Sequence, residues 1–221
     1  MTRHFQHEIE LIKRQILALS ALVEERVYMA VRSVLQHDRN LARTVIEGDK
    51  EIDAKEVEVE EDCLKVLALH QPVAIDLRFL IAVLKLNNDL ERIADLAVSI
   101  ANRALAIADT DGVTVPPGLR EMGEKVKTVL RKSLESLVNL DLDLARGVLS
   151  SDDEIDDLNR GLHEALQAAI RAEPKKLEGL LSLISVSRNL ERIGDHATNI
   201  AEDVIYLVEG EIVRHSKRYA V

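Results

Sequence analysis

The stretch NLERIGDHATNIAE, Asn189–Glu202, sets an arginine and three acids inside a helical apolar pattern, and one hundred residues earlier the chain reads DLERIADLAVSIAN, Asp89–Asn102. The run Leu-Glu-Arg-Ile-x-Asp therefore occurs twice, at Leu90–Asp95 and Leu190–Asp195. The match extends outward. DRNLARTVIEGDKEID, Asp38–Asp53, parallels DLDLARGVLSSDDEID, Asp141–Asp156, at an offset of 103. Further upstream, Val23, Val27, Val31 and Val34 recur at helical spacing and face Val126, Leu130, Leu134 and Leu137 at that same offset. The chain is one unit written twice, and such a repeat must be recognised before any element is assigned.

Each copy predicts three helices. The first gives 4–37, 39–70 and 74–108, and the second gives 117–140, 142–171 and 175–209. Asp38 and Asp141 suit the N-caps of the middle helices, because a short acceptor side chain satisfies backbone N–H groups left free in a first turn. Gly48 is a candidate break that would divide 39–70 into two pieces. Between the two matched blocks the second copy is three residues shorter, and a deletion of that kind belongs in a turn. Pro72 and Pro174 mark those turns. The joint between the copies is DTDGVTVPPG, Asp109–Gly118, with two glycines and two prolines. It leaves two alternatives open: halves that shift as near-rigid bodies, or a joint stiffened by Pro116-Pro117. The reading is an all-α chain of two tandem, sequence-related three-helix bundles: residues 1–108, a linker 109–118, and residues 119–221 with a short C-terminal tail.

Composition agrees with that architecture. Aromatics make up 2% of the 221 residues and there is no Trp, so the core must be packed from aliphatic side chains on amphipathic helices. The net charge of −10 argues against nucleic-acid binding, which needs a basic face. Cys63 is the only cysteine and cannot form an internal disulfide, which fits a reducing compartment. It falls in phase with Ile52, Val59 and Val66 and is expected to be a small core residue. The start MTRHFQHEIE is polar, and the longest apolar run is the six residues Phe79–Leu84, far short of the roughly 20 needed to cross a bilayer. A cytosolic protein without direct membrane insertion is expected.

The acids are placed by helical geometry. Residues i and i+4 share a face, so Glu91 sits one turn from Asp95, with Asn88 and Asn102 in the same arc. The apolar stripe of that helix, Leu86, Leu90, Ile93, Ala97 and Ile100, lies elsewhere. In the second copy the arc holds Glu191, Asp195, Asn199 and Glu202. The middle helices carry the pairs Asp49/Asp53 and Asp152/Asp156. Asp53 and Glu91 are equally far from Pro72, as are Asp49 and Asp95. Asp156–Glu191 and Asp152–Asp195 share a midpoint between Glu173 and Pro174. In an antiparallel hairpin, residues equidistant from the turn lie level. Each copy thus predicts four carboxylates at one height on two neighbouring helices, ~28 Å from the turn. A single pair of this kind reads as a solvated acidic face. Two level pairs, repeated despite the deletion between them, point to a cation site, since four crowded carboxylates repel one another and raise their pKa values. Oxygen-only ligands suit Mg, Mn or Fe, with Zn admissible.

Other site classes fit less well. Ferritin-like di-iron bundles use Glu-x-x-His, and none of the seven histidines here has a Glu three residues before it. His163 and His196 read as surface or packing residues, and Arg92 and Arg192 as salt-bridge partners of the acids. No nucleophile constellation or Gly-rich phosphate loop appears, and the reading is of a protein that is not an enzyme. Two rivals stay open: an adaptor whose acids bind no metal, and a metal-dependent hydrolase built from carboxylates alone.

These residues resemble the PhoU family of phosphate-transport regulators. Its paired motif, Glu/Asp-x-x-x-Asp in two repeats of a three-helix bundle, is matched at Asp49/Asp53, Glu91/Asp95, Asp152/Asp156 and Glu191/Asp195. QPVAIDLRFLIAVLK, Gln71–Lys85, and the ending IYLVEGEIVRH, Ile205–His215, are similar to it as well. The resemblance implies a cytosolic, usually homodimeric regulator that binds metal ions or clusters at these acids. It implies an adaptor between the phosphate ABC transporter and the phosphate-sensing histidine kinase, which keeps uptake and the starvation response off when phosphate is ample.

Overall fold

The structure is a computed structural model and describes residues 3–210. Eight α-helices follow in order: α1 Arg3–Gln36, α2 Arg39–Glu47, α3 Asp49–His70, α4 Ala74–Ala108, α5 Pro117–Asn139, α6 Leu142–Leu149, α7 Asp152–Ala172 and α8 Leu177–Glu209, with a 3₁₀ turn at Pro174–Lys176. There is no strand among the described residues. The six predicted helical spans are all present, and the fold is all-α with two related halves. The middle span is divided in both. In the first half the break falls at Gly48, where a Cβ would collide with the Arg26 guanidinium lying against the α2–α3 joint.

The second break, at Ser150–Ser151, corrects the uninterrupted 142–171. Both serine hydroxyls donate to the Gly147 carbonyl, at 3.0 Å each, and the Ser151 N–H turns back three residues to Val148. Side chains that compete for backbone carbonyls in this way weaken the helical ladder. Asp152 then begins a new helix.

The repeat is reproduced down to single hydrogen bonds. α1 and α5 end on His37 and Leu140, both left-handed at φ 52°. The next N–H reaches back to a serine carbonyl, Asp38 to Ser33 at 2.9 Å and Asp141 to Ser136 at 3.0 Å. This 6→1 bond closes a helix end that would otherwise expose its carbonyls. The same two aspartates then cap the following helices as expected. Asp38 accepts from the N–H groups of Asn40 and Leu41, and Asp141 from that of Leu144, all at 3.0 Å.

α4 and α8, the two helices that carry the repeated Leu-Glu-Arg-Ile run, pack against each other antiparallel. Lys85 donates to Asp203 at 3.2 Å, Asn199 to Asp89 at 3.3 Å, and Asn189 to Ser99 at 2.9 Å, so that residue numbers rise on one helix as they fall on the other. Position 89 meets 199 while its repeat mate 189 meets 99, which relates the halves by a pseudo-twofold. The aliphatic core is continuous across them, running from Ile12 and Leu19 through Leu90 and Ile93 to Leu190 and Ile193. Cys63 is fully buried in it, and burial pushes its thiol up to about 12, so it is inert packing as expected. The linker is packed as well. Val113 is buried against Gly179 at the start of α8. The joint therefore connects parts of one packed body.

Candidate metal centres

The hairpins α3–α4 and α7–α8 are level where the acids lie. In the first, buried Asn87 on α4 donates to both the backbone carbonyl and the carboxylate of Glu56 on α3, at 2.9 and 3.1 Å. In the second, Ser187 and Asn159 stand in the corresponding places and are hydrogen-bonded to each other. These pairs fix the register one turn from the acids. Asp49 and Asp152 are the first residues of α3 and α7, a consequence of the breaks at Gly48 and Ser150–Ser151. Free N–H groups of a first helical turn favour an anion there. Asp53, Glu91 and Asp95 complete the first set, and Asp156, Glu191 and Asp195 the second.

The two sets match in burial: Asp49, Glu91, Asp152 and Glu191 are half-buried, while Asp53, Asp95, Asp156 and Asp195 are exposed. They also feel one another. Asp49 is raised above the usual carboxylate range by burial, then by Asp53 on its own helix and Asp95 across the hairpin. Glu91 is raised by burial and then by Asp95, with Glu56 adding to it. In the second set, burial and Asp156 raise Asp152. Asp195 is pushed up to about 6, by burial first and then by Asp152, Glu191 and Asp156, which are the other three members of its set. The level arrangement expected from the turn-counting is thus present in both halves.

The sets differ in how they are neutralised. Arg92 lies 3.4 Å from Glu91 and 3.5 Å from Asp95, the expected salt bridge. Arg192 is exposed and makes no ion pair among the described residues, so that expectation is not met; an exposed pair of this kind contributes at most about 1 kcal/mol. The second set relies instead on Thr198, whose hydroxyl donates to Asp152 at 3.3 Å. His196 turns away to Asp89, Nδ1 to Oδ1 at 2.8 Å, and belongs to the α4–α8 seam. His163 lies two turns along α7 from Asp156, ~10 Å by helical rise, too far to join the set. Glu56 is a neighbour of the first set that the sequence reading did not single out; its charge adds to the shift of Glu91. Its signal was a third acid one turn beyond Asp53.

As their side chains lie, no three His, Cys, Asp or Glu residues among the described residues stand in an arrangement that holds a metal ion. The donor chemistry nevertheless suits a hard multivalent cation: oxygen atoms only, four carboxylates per set, and like charges close enough to add to the effect of burial on Asp49, Glu91, Asp152 and Asp195.

That crowding has a measurable consequence. A raised carboxyl pKa means that the folded state holds the proton more tightly than the unfolded chain. This group's contribution to stability is fully present at acid pH and is lost as pH rises from the usual carboxylate range through about 6. In metal-free protein, Asp195→Asn is therefore expected to raise Tm at pH 7.5, with the gain vanishing near pH 4. Asp195 is exposed by surface area although crowded by its neighbours, so screening keeps the gain below about 1 kcal/mol, roughly 2–4 °C. A lower Tm for the variant at pH 7.5 would mean that the acids do not repel.

Comparison with known proteins agrees with this architecture. The family model for the PhoU domain matches twice, over residues 16–104 and 119–204. A Pseudomonas putida protein named phosphate-specific transport system accessory protein PhoU homolog is 38% identical over 97% of this chain and 84% of its own length. An Aquifex aeolicus protein of the same name is 38% identical, covering 94% of each. Among solved structures, PhoU from Pseudomonas aeruginosa superposes with a TM-score of 0.89 at 37% identity, over 94% of this chain and 100% of that one. The phosphate transport system regulatory protein PhoU from Streptococcus pneumoniae gives 0.87 at 26% identity, over 95% and 99%. The family matches cover both copies of the repeat and all eight acids of the two sets, and the chain belongs to the PhoU family.

Proposed function

We propose that this protein is a negative regulator of phosphate uptake and of the phosphate-starvation response, acting as a metal-binding cytosolic adaptor. Its relatives are named accessory proteins of the phosphate-specific transport system, which supports a place beside that transport machinery. No described helix is long and apolar enough to cross a membrane. Contact with the transporter and with the phosphate-sensing histidine kinase then depends on protein surfaces, and the protein acts as a homodimer without catalysis of its own.

The observation that carries the metal reading is the repeated level set of four acids. Asp49, Asp53, Glu91 and Asp95 hold one site, and Asp152, Asp156, Glu191 and Asp195 the other. A bound Fe, Mn, Mg or Zn ion supplies positive charge that relieves carboxylate repulsion and ties the two helices of each hairpin together. A second reading, a metal-free adaptor, is favoured by one observation: the acid side chains do not converge on a single point as they lie. A hydrolase has no such support.

Deleting the gene in its host tests the regulatory reading. Starvation-gene expression is expected to stay high in ample phosphate. Normal repression in the deletion strain, with no second copy of the gene, would remove that reading and leave a helical bundle with acidic sites.

A further inference from the structure

An apolar groove of about 490 Å³ opens at one end of the molecule, where the start of α4 meets α1 and the ends of α5 and α8. Ile16, Phe79 and Leu137 form its walls. Ile75 at 60% exposure, Val138 at 55% and Leu140 at 50% stand on its rim and bare apolar carbon to solvent. An open apolar patch of this kind marks an interaction surface. We propose that its occupant is the same groove of a second copy of this chain, so that the homodimer, on whose existence this rests, forms across a twofold axis through the groove.

Charge chooses this occupant. The charged residues lining the groove are one cation and one anion, Lys13 on α1 and Asp76 in the first turn of α4. In a twofold contact, residue i of one copy meets j of the other while j meets i. A surface that carries one charge of each sign is therefore complementary to itself: Lys13 faces Asp76 of the partner subunit, and Asp76 faces Lys13 of the partner subunit. Both are available for it. Asp76 makes no ion pair among the described residues. Lys13 holds Glu10, 2.8 Å away on its own helix, in an exposed pair that contributes at most about 1 kcal/mol. The rest of the chain carries the net charge of −10, which repels a second copy and attracts a basic partner. The groove offers a basic partner no such gain, since its two charges cancel. Pairing there takes the apolar rims of both copies out of water at once, as the core of a homodimer interface does.

The test measures the dimer dissociation constant of the full chain by analytical ultracentrifugation, for the wild type, Lys13→Glu, Asp76→Lys and the doubly reversed chain. The wild type is expected to be a dimer. Each single reversal replaces two attractions by two like-charge contacts and should weaken the dimer about tenfold or more. The double reversal restores opposite signs at both contacts and should bring the constant back to within a few-fold of the wild type. Ile75→Glu should give a monomer with unchanged helical circular dichroism, because an acid in a first helical turn is favourable. A wild-type dimer that all four variants leave intact would put the twofold on another face: the homodimer reading would stand and the groove assignment would fall. Single reversals that weaken the dimer without recovery in the double would mean that Lys13 and Asp76 do not face each other, and overturn it too. A monomeric wild type would overturn both and leave the groove to a different partner.

Discussion

Adding metal to chelator-treated protein is expected to raise its thermal stability, and by more than any single surface substitution can. A ligand bound only by the folded state stabilises it by about 2.7 kcal/mol at a hundred times its dissociation constant. For a domain of this size that is roughly 5–10 °C in Tm. The source of the effect is specific. Without metal, burial first, and then the repulsion of Asp152, Glu191 and Asp156 around it, push the Asp195 carboxyl up to about 6. On the proposed reading, a cation bound by this set would reverse that repulsion and fasten α7 to α8, and one bound by the other set would fasten α3 to α4. The gain should shrink as pH falls through about 6, because protons compete with the cation for the carboxylates. Replacing Asp152, Asp156, Glu191 and Asp195 by Ala should abolish the second half's share. An unchanged Tm on metal addition, in a metal series covering Fe, Mn, Mg and Zn, would favour the metal-free adaptor.

Leu90→Ala is expected to destabilise the whole molecule. Leu90 is fully buried on α4, in a core that runs unbroken from the first half into the second. Truncating such a leucine removes its transfer energy and leaves a cavity, a loss of about 3 kcal/mol. Because the seam between α4 and α8 is continuous with both bundles, the loss should appear in the second half as well. Hydrogen exchange in α5 and α7 should accelerate along with that in α1, in a single unfolding transition. If exchange rose in the first half alone, the halves would be separate folding units joined by the linker.

The repeat made much of this legible. Gly48, Asp38 and Asp141 announce their roles locally, as a break and two caps, and each does what its chemistry dictates. The level acids were readable too, because an antiparallel hairpin converts distance from a turn into height. What escaped the sequence depends on neighbours that are distant along the chain. The break at Ser150–Ser151 comes from two hydroxyls competing for one carbonyl, and serines in mid-helix seldom do more than bend it. Asp89 carries no signal of its own in the sequence. It is buried at the seam, accepting from His196 and Asn199 of the other half. Only the packing of α4 on α8 reveals that, and the pseudo-twofold substitutes Asn189 and Ser99 at the mirrored place. Glu56 had a local signal, a third acid one turn beyond Asp53, but its hydrogen bond to Asn87 on the facing helix shows only in the packing.

The claim of two equivalent carboxylate metal sites, one per half, is tested most directly by metal content. The protein with Glu91→Ala and Asp95→Ala, purified beside the wild type and analysed by inductively coupled plasma mass spectrometry, should retain about half the wild-type metal, since its second set of four acids is untouched. Metal content equal to the wild type, or a fall to zero, would contradict two independent sites.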